Sequence, residues 1–485
     1  MIRIATLVLI FMIAGSANAP ADSSATAISR AATLRESGDL KVAVAVLGDA
    51  LKAPNLSAAQ RKELEFQIDV LKRIKMDYPL TRDDLFTQLS AAIKDLTPAE
   101  FDQWIAQGRF DRKTIDGQTW FEDECVRNLF NQYPELASRR LGHKDDAALQ
   151  RERLEVCRAI KKAAQDQQTP YVLPHHFVCT MTVTAEKGAA PAGELVRAWL
   201  PVPRRYPFQD QFEVIRSSSP VKVLAPETSP IRSAYFEQPA AKDGSAEFAI
   251  TYSYTISGVH FDMDPAKVRS TDLRDPVLKK FTSEAPHVVF NDKIKELANR
   301  IAGNETNPMR EAREIYDWIG GNIKFSYARE YSTLTNLGLY CLASGYGDCG
   351  EEALLFITLC RCRGIPARWQ AGWNTFPGHV SNHDWSEIYL APYGWVPVDP
   401  WASLYAMRYC TSLTPSERTE LRDFYFGGLD YYRMAANSDH NQELDPPKQS
   451  LRSDNVDFQR GELEWGHTNI YFDKYDFALS VQELE

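Results

Sequence analysis

The sequence predicts an α+β protein: a helical region, then a β-rich region, then a mixed core. Three observations carry this. Residues from about 25 to 165 place apolar side chains at helical spacing, as in Leu64, Ile68, Leu71 and Ile74. Residues from about 170 to 260 alternate apolar with polar, as in Phe177, Cys179, Met181 and Val183, or Phe248, Ile250, Tyr252, Tyr254 and Ile256. Helical patterns return near residue 290 and give way to short strand-like segments separated by turn signals. The expected divisions are a leader over 1–21, a helical domain over 22–168, a β-sandwich over 169–260, the mixed core over 261–440 and a C-terminal extension of that core over 441–485.

Arg3 followed by the apolar run from Ile4 to Ala14 and the small residues Gly15 to Ala19 reads as a secretory signal. Cleavage could follow Ala19 or Ala21; an uncleaved N-terminal anchor is the alternative. The chain is then secreted or periplasmic. No later stretch approaches the ~20 apolar residues of a membrane span. In the helical region Ser37-Gly38-Asp39 breaks two alanine-rich helices, hinting at a helical hairpin, but no second copy follows at a fixed period. In the β region, Trp199-Leu200-Pro201-Val202-Pro203 and several Pro/Gly/Ser turns suit short antiparallel strands. A polar connector from His260 to Pro286 precedes helices over Asp292–Ile301 and Pro308–Ile319, with Pro308 suited to a first helical turn.

The formal charge of −10 opposes a broad nucleic-acid footprint. Eight cysteines in 485 residues are sparse. If Cys349 is reactive an odd number remains, so buried free thiols or a single bridge are expected rather than a disulfide framework.

The chemistry concentrates near Gly347-Asp348-Cys349-Gly350. Glu352 to Cys362 reads as a buried helix stopped by Gly364-Ile365-Pro366, which sets Cys349 at a helix N-terminus. Unpaired N–H groups there favour an anion and should lower the thiol pKa. The flanking glycines would let a substrate approach closely. His383 opens a strand, Ala391-Pro392-Tyr393-Gly394 turns it, and Trp395 to Asp399 returns. His383 and Asp399 share a face only if the loop is odd in length or a bulge intervenes. Singly, these are a structural cysteine, a packed histidine and a turn-forming aspartate. Together they suit a thiol nucleophile, its base and an orienting carboxylate.

Four pieces in order resemble the transglutaminase-like superfamily: Gly347 to Gly350, Arg361 to Arg368, His383-Asp384-Trp385-Ser386-Glu387, and Gly394 to Pro400. The resemblance covers roughly residues 290–440 and implies a papain-like core, a cysteine-bearing helix on an antiparallel sheet, with Cys349, His383 and Asp399 as triad. Phe426-Gly427-Gly428-Leu429-Asp430 and Arg433 resemble a strand that commonly follows in bacterial members, and the Trp-Leu-Pro-Val-Pro strand resembles the domain before the core. The Cys349 N–H is one expected oxyanion donor and Tyr327 the candidate for the second. Trp385 and Trp395 are expected to line the core or cleft; Glu351 and Glu387 either support the site or are solvated.

The implied reaction passes through a thioester resolved by water or by an amine. A secreted cysteine peptidase or amidase is favoured, with a peptide or protein as partner, including cell-wall peptide or glycoprotein. A cross-linking acyltransferase, a glycan amidase and a non-catalytic binding module remain open. No cofactor is expected: Cys349, His379 and His383 make a poor metal set because Pro377 and Gly378 oppose a helix, and no twelve-residue Asp-rich calcium loop is present.

Overall fold

A computed structural model describes residues 23–142 and 146–484. The leader reading therefore lies outside the described residues. Two compact units result, one comprising residues up to Lys75 with 114–118, the other comprising 76–113 and 119 onward.

In the first unit, helices α1 (Ser24–Ser37) and α2 (Leu40–Ala50) are followed by α3 (Ala58–Asp77), whose last two residues belong to the second unit. Gly38 ends α1 with φ 86° and bonds back to Arg35 and Leu34. A Cβ there would lie 1.9 Å from the Thr114 carbonyl oxygen, so both backbone angle and space demand glycine. Ala31, Leu40, Ala43 and Leu47 are buried, giving the alanine-rich helices their apolar face.

The second unit begins with helices α4 (Arg82–Ala92), α5 (Pro98–Ala106), α6 (Cys125–Gln132) and α7 (Ala147–Gln167). Two antiparallel sheets follow, built largely from β1 (Tyr171–Ala185), β2 (Leu195–Pro201), β3 (Gln209–Ser217), β4 (Ser233–Pro239) and β5 (Ala246–His260). Phe177, Met181, Phe248 and Ile250 of one sheet share a core with Val196, Ala198 and Phe236 of the other. That is a sandwich, as period-two patterning requires. Helix α7 packs on it through Leu154, Cys157 and Ile160.

The mixed core stacks α8 (Asp292–Ala302), α9 (Pro308–Asn322), α10 (Leu337–Ser344) and α11 (Cys349–Cys362) on a sheet of β6 (Ala367–Asn374), β7 (Ser381–Leu390), β8 (Gly394–Val398) and β9 (Arg433–Asn437), ordered β8-β7-β6-β9. The tail extends this core only in its first part, where Val456 joins the core cluster and Gln459 lines the cleft. Strands β10 (Glu462–Trp465) and β11 (Tyr475–Leu484) join the sandwich instead, pairing with β2 and β1. The fifteen-residue β1 bonds to β5 along one edge, and β11 satisfies the backbone groups of the other. The eight cysteines are all free.

Candidate active site

Helix α11 starts at Cys349 because Asp348 caps it. The Asp348 Oδ1 accepts from the Glu351 N–H at 3.0 Å, and the Glu351 Oε2 accepts from the Asp348 N–H at 3.2 Å, a reciprocal capping box. Residues 350–361 are all buried, so the helix is clamped on every side. Of the two glutamates left open by the sequence, Glu351 closes this cap and Glu387 bonds Arg368 Nε at 2.6 Å. Both are buried rather than solvated.

The β7–β8 hairpin pairs Leu390 with Gly394 across a three-residue loop, 391–393. With Ser386 opposite Val398, the next positions are Trp385 and Asp399, and His383 lies two residues along on that same face. His383 Nε2 and Asp399 Oδ2 are 2.7 Å apart, both buried. Arg433, from β9, donates to the same Oδ2 at 3.2 Å and also to Asn374. Asp399 additionally caps the short helix α12 (Pro400–Leu404) through the Ala402 N–H. Burial opposes the Asp399 charge, yet His383 and Arg433 together hold its carboxyl below the usual range. Burial holds the His383 imidazole below its ordinary value even with Asp399 beside it, and Arg433 pushes the same way.

Cys349 and His383 line one cleft of about 540 Å³, with Asn374, Asp384, Trp401 and Arg433. The sulfur's hydrogen bond does not go to His383. It goes to Asp384 Oδ2, 3.6 Å away. Burial pushes the Cys349 thiol well up. This corrects the expectation of a thiol lowered by the helix terminus: desolvation outweighs a partial charge that falls off within one turn.

Residues 295–400 match the transglutaminase-like superfamily. The chain carries a transglutaminase-like core. An uncharacterised protein of Haemophilus influenzae is 24% identical over 238 residues, 41% of this chain and 62% of that protein. The uncharacterised YebA of Bacillus subtilis is 25% identical over 128 residues, 22% of this chain and 17% of YebA. This chain thus spans less than two thirds of each. The crystal structure of a candidate cysteine protease from Cytophaga hutchinsonii covers 65% of this chain and 92% of its own, at 14% identity and TM-score 0.43.

The transglutaminase-like core receives cleft residues that the sequence reading passed over. Tyr331 donates from its hydroxyl to Asp348 at 2.8 Å and lies 3.2 Å from Asp384 Oδ2. Gln459 donates to Asp384 Oδ1 at 2.6 Å and to the His383 carbonyl. Arg460 lines the cleft while paired with Glu330 at 2.5 Å. Tyr327, the candidate oxyanion donor, stands at the cleft with its ring 3.4 Å from the Arg127 guanidinium carbon. It is more exposed than any other tyrosine of the apolar surface, at 36%. Gly350 serves packing rather than substrate approach: a Cβ there would lie 2.1 Å from the Tyr331 hydroxyl and 2.8 Å from Asp384 Oδ2. Trp385 is core, and Trp395 is covered by the Arg368 guanidinium. Among the described residues no group of His, Cys, Asp and Glu is arranged to hold a metal ion, and no helix is long and apolar enough to cross a membrane.

Proposed function

We propose that this chain is a thiol enzyme that opens amide bonds of peptide or protein substrates, with Cys349 as nucleophile, His383 as base and Asp399 orienting the imidazole. The observation supporting this most is the buried 2.7 Å His383–Asp399 bond on a cleft that Cys349 also lines. Asp399 engages Nε2, so Nδ1 is the ring nitrogen left to take the thiol proton. The resting pair is neutral thiol and neutral imidazole. Proton transfer from Sγ to Nδ1 creates the thiolate as it attacks the amide carbon. The imidazolium then gives that proton to the leaving amine, forming a thioester. Water, deprotonated by the same imidazole, attacks the thioester and releases the acid, with the thiol regenerated.

The experiment is low-dose iodoacetamide labelling near neutral pH, read per cysteine by mass spectrometry, with His383→Ala alongside. Labelling of Cys349 that slows in the variant is the expected result, because proton transfer to the imidazole, not a standing thiolate, supplies the nucleophile. Labelling of Cys349 no faster than an ordinary exposed thiol, and unchanged by His383→Ala, would sink the reading. A peptide substrate screen with and without an added amine then separates hydrolysis from acyl transfer.

A further inference from the structure

Asp384 stands next to the proposed base in sequence but on the opposite face of β7, and its carboxyl touches the nucleophile. Its Oδ2 is 3.6 Å from Cys349 Sγ and 3.2 Å from the Tyr331 hydroxyl oxygen. That hydroxyl lies 2.9 and 2.8 Å from the two Asp348 oxygens. A phenol has one proton to give. Asp348 also accepts the Glu351 N–H at the helix cap, which favours its charged form and makes it the acceptor of the Tyr331 proton. The remaining Tyr331–Asp384 contact then needs a proton from Asp384.

The surroundings agree. Asp384 is 3% exposed, and among the described residues no cation bonds it. Among the described residues, the charged groups acting on it most strongly are Asp457, Asp348 and Asp454, all carboxyls, and Arg460 nearby is engaged by Glu330 and Asp454. Burial, then Asp457 and Asp348, push its pKa well up.

We infer that Asp384 is a protonated, neutral acid that serves as hydrogen-bond partner of the Cys349 sulfur. This rests on the reading of Cys349 as nucleophile. In the resting state Cys349 S–H donates to Asp384 Oδ2, while the Asp384 proton is donated to Tyr331. When the thiol proton passes to His383 Nδ1, the Asp384 proton turns from Tyr331 to the thiolate. No proton leaves Asp384, and only its acceptor changes.

The test compares wild type, Asp384→Asn and Asp384→Ala by iodoacetamide labelling of Cys349 across pH, with circular dichroism as the folding check and His383→Ala as reference. Asparagine offers an N–H donor in the same shape. The expected result is Asp384→Asn within about threefold of wild type and Asp384→Ala at least tenfold slower. The wild-type profile should also carry a high-pH inflection, from ionisation of Asp384, that Asp384→Asn lacks. This second readout decides the matter if the alanine variant does not fold.

Three outcomes overturn the inference. One is Asp384→Asn labelling more than tenfold faster, which would mean that an anion had been removed from beside the sulfur. The others are both variants matching wild type, or both slowing with their fold intact. These all leave the His383 dependence of wild-type labelling in place. Loss of that dependence would instead bring down the proposed function.

Discussion

Replacing Asp399 by asparagine removes one charge and one of two acceptor oxygens. The Asp399 side chain accepts from His383 Nε2 at 2.7 Å, from Arg433 Nη2 at 3.2 Å and from the Ala402 N–H at 3.3 Å. Asparagine has a single acceptor oxygen, so keeping it on His383 and Arg433 turns its amide N–H2 toward the Ala402 N–H, and α12 gives up its side-chain cap. Arg433 keeps a carboxylate, Asp430, at 3.6 Å, so its charge is not orphaned in the core. What His383 loses is the charge that stabilises the imidazolium. A hydrogen bond to a charged group contributes about 1.5–3 kcal/mol, which at about 1.36 kcal/mol per decade is about 10- to 150-fold in rate. The remaining Arg433 charge opposes protonation of His383, which favours the upper end. The assay is the Cys349 labelling rate at pH 7, with partly buried Cys362 of the same molecule as internal standard. Labelling of Asp399→Asn within threefold of wild type, alongside a slow His383→Ala, would refute the orienting role while leaving the base in place.

Two further predictions concern stability. Burial raises the Asp77 carboxyl to about 7, and the Thr333 hydroxyl that donates to it only partly offsets this. Between the unfolded value of ~3.9 and about 7, the unfolded chain ionises Asp77 while the folded chain retains the proton, so its contribution to stability falls as pH rises through that window. Asp77→Asn should therefore gain on wild type from pH 4 to 7 and level off above, by up to about 4 kcal/mol, read as the gap between melting temperatures. A gap that stays flat with pH would contradict the assignment. Gly350→Ala should lower the melting temperature, with overpacking costing about 1–3 kcal/mol, and should slow Cys349 labelling by displacing Tyr331 and Asp384. Tyr331→Phe in the same chain removes the hydroxyl that lies 2.1 Å from the new methyl and should recover part of the loss. Wild-type behaviour of Gly350→Ala would mean that this contact does not constrain the site.

The parts that could be read from the sequence are those whose physics is local. The start of α11 follows from an aspartate three residues before a glutamate ahead of a continuous apolar run. The alignment of His383 with Asp399 follows from counting residues through one hairpin, and the structure has the odd loop that the count demands. The sandwich strands follow from period-two patterning. The tail could not be read this way. Strand β11 finds its partner about 300 residues upstream, and nothing in Tyr475–Leu484 names the edge it will cover.

The thiol's environment escaped for a related reason. A helix N-terminus is visible in sequence, but the desolvation that overrides it is a sum over residues distant in the chain. Tyr331, Asp384 and Gln459 meet the site from three separate segments. Asp384 was within view, beside His383, yet strand alternation sets it on the other face and so argues against a shared role. The alternation holds: Asp384 pairs with Ala371 on the face where Ile388 and Trp369 join the core of α11, while His383 pairs with Gly372 on the face of Trp385. The cleft takes both, being lined by His383 and Asp384 alike. One face of β7 carries His383 to Asp399 and Arg433, and the other carries Asp384 to the sulfur and the capped helix start. Consecutive residues on a single strand thereby supply the proposed base and the hydrogen-bond partner of the Cys349 sulfur, which is why a change at either position should register at Cys349 while leaving the hairpin's register intact.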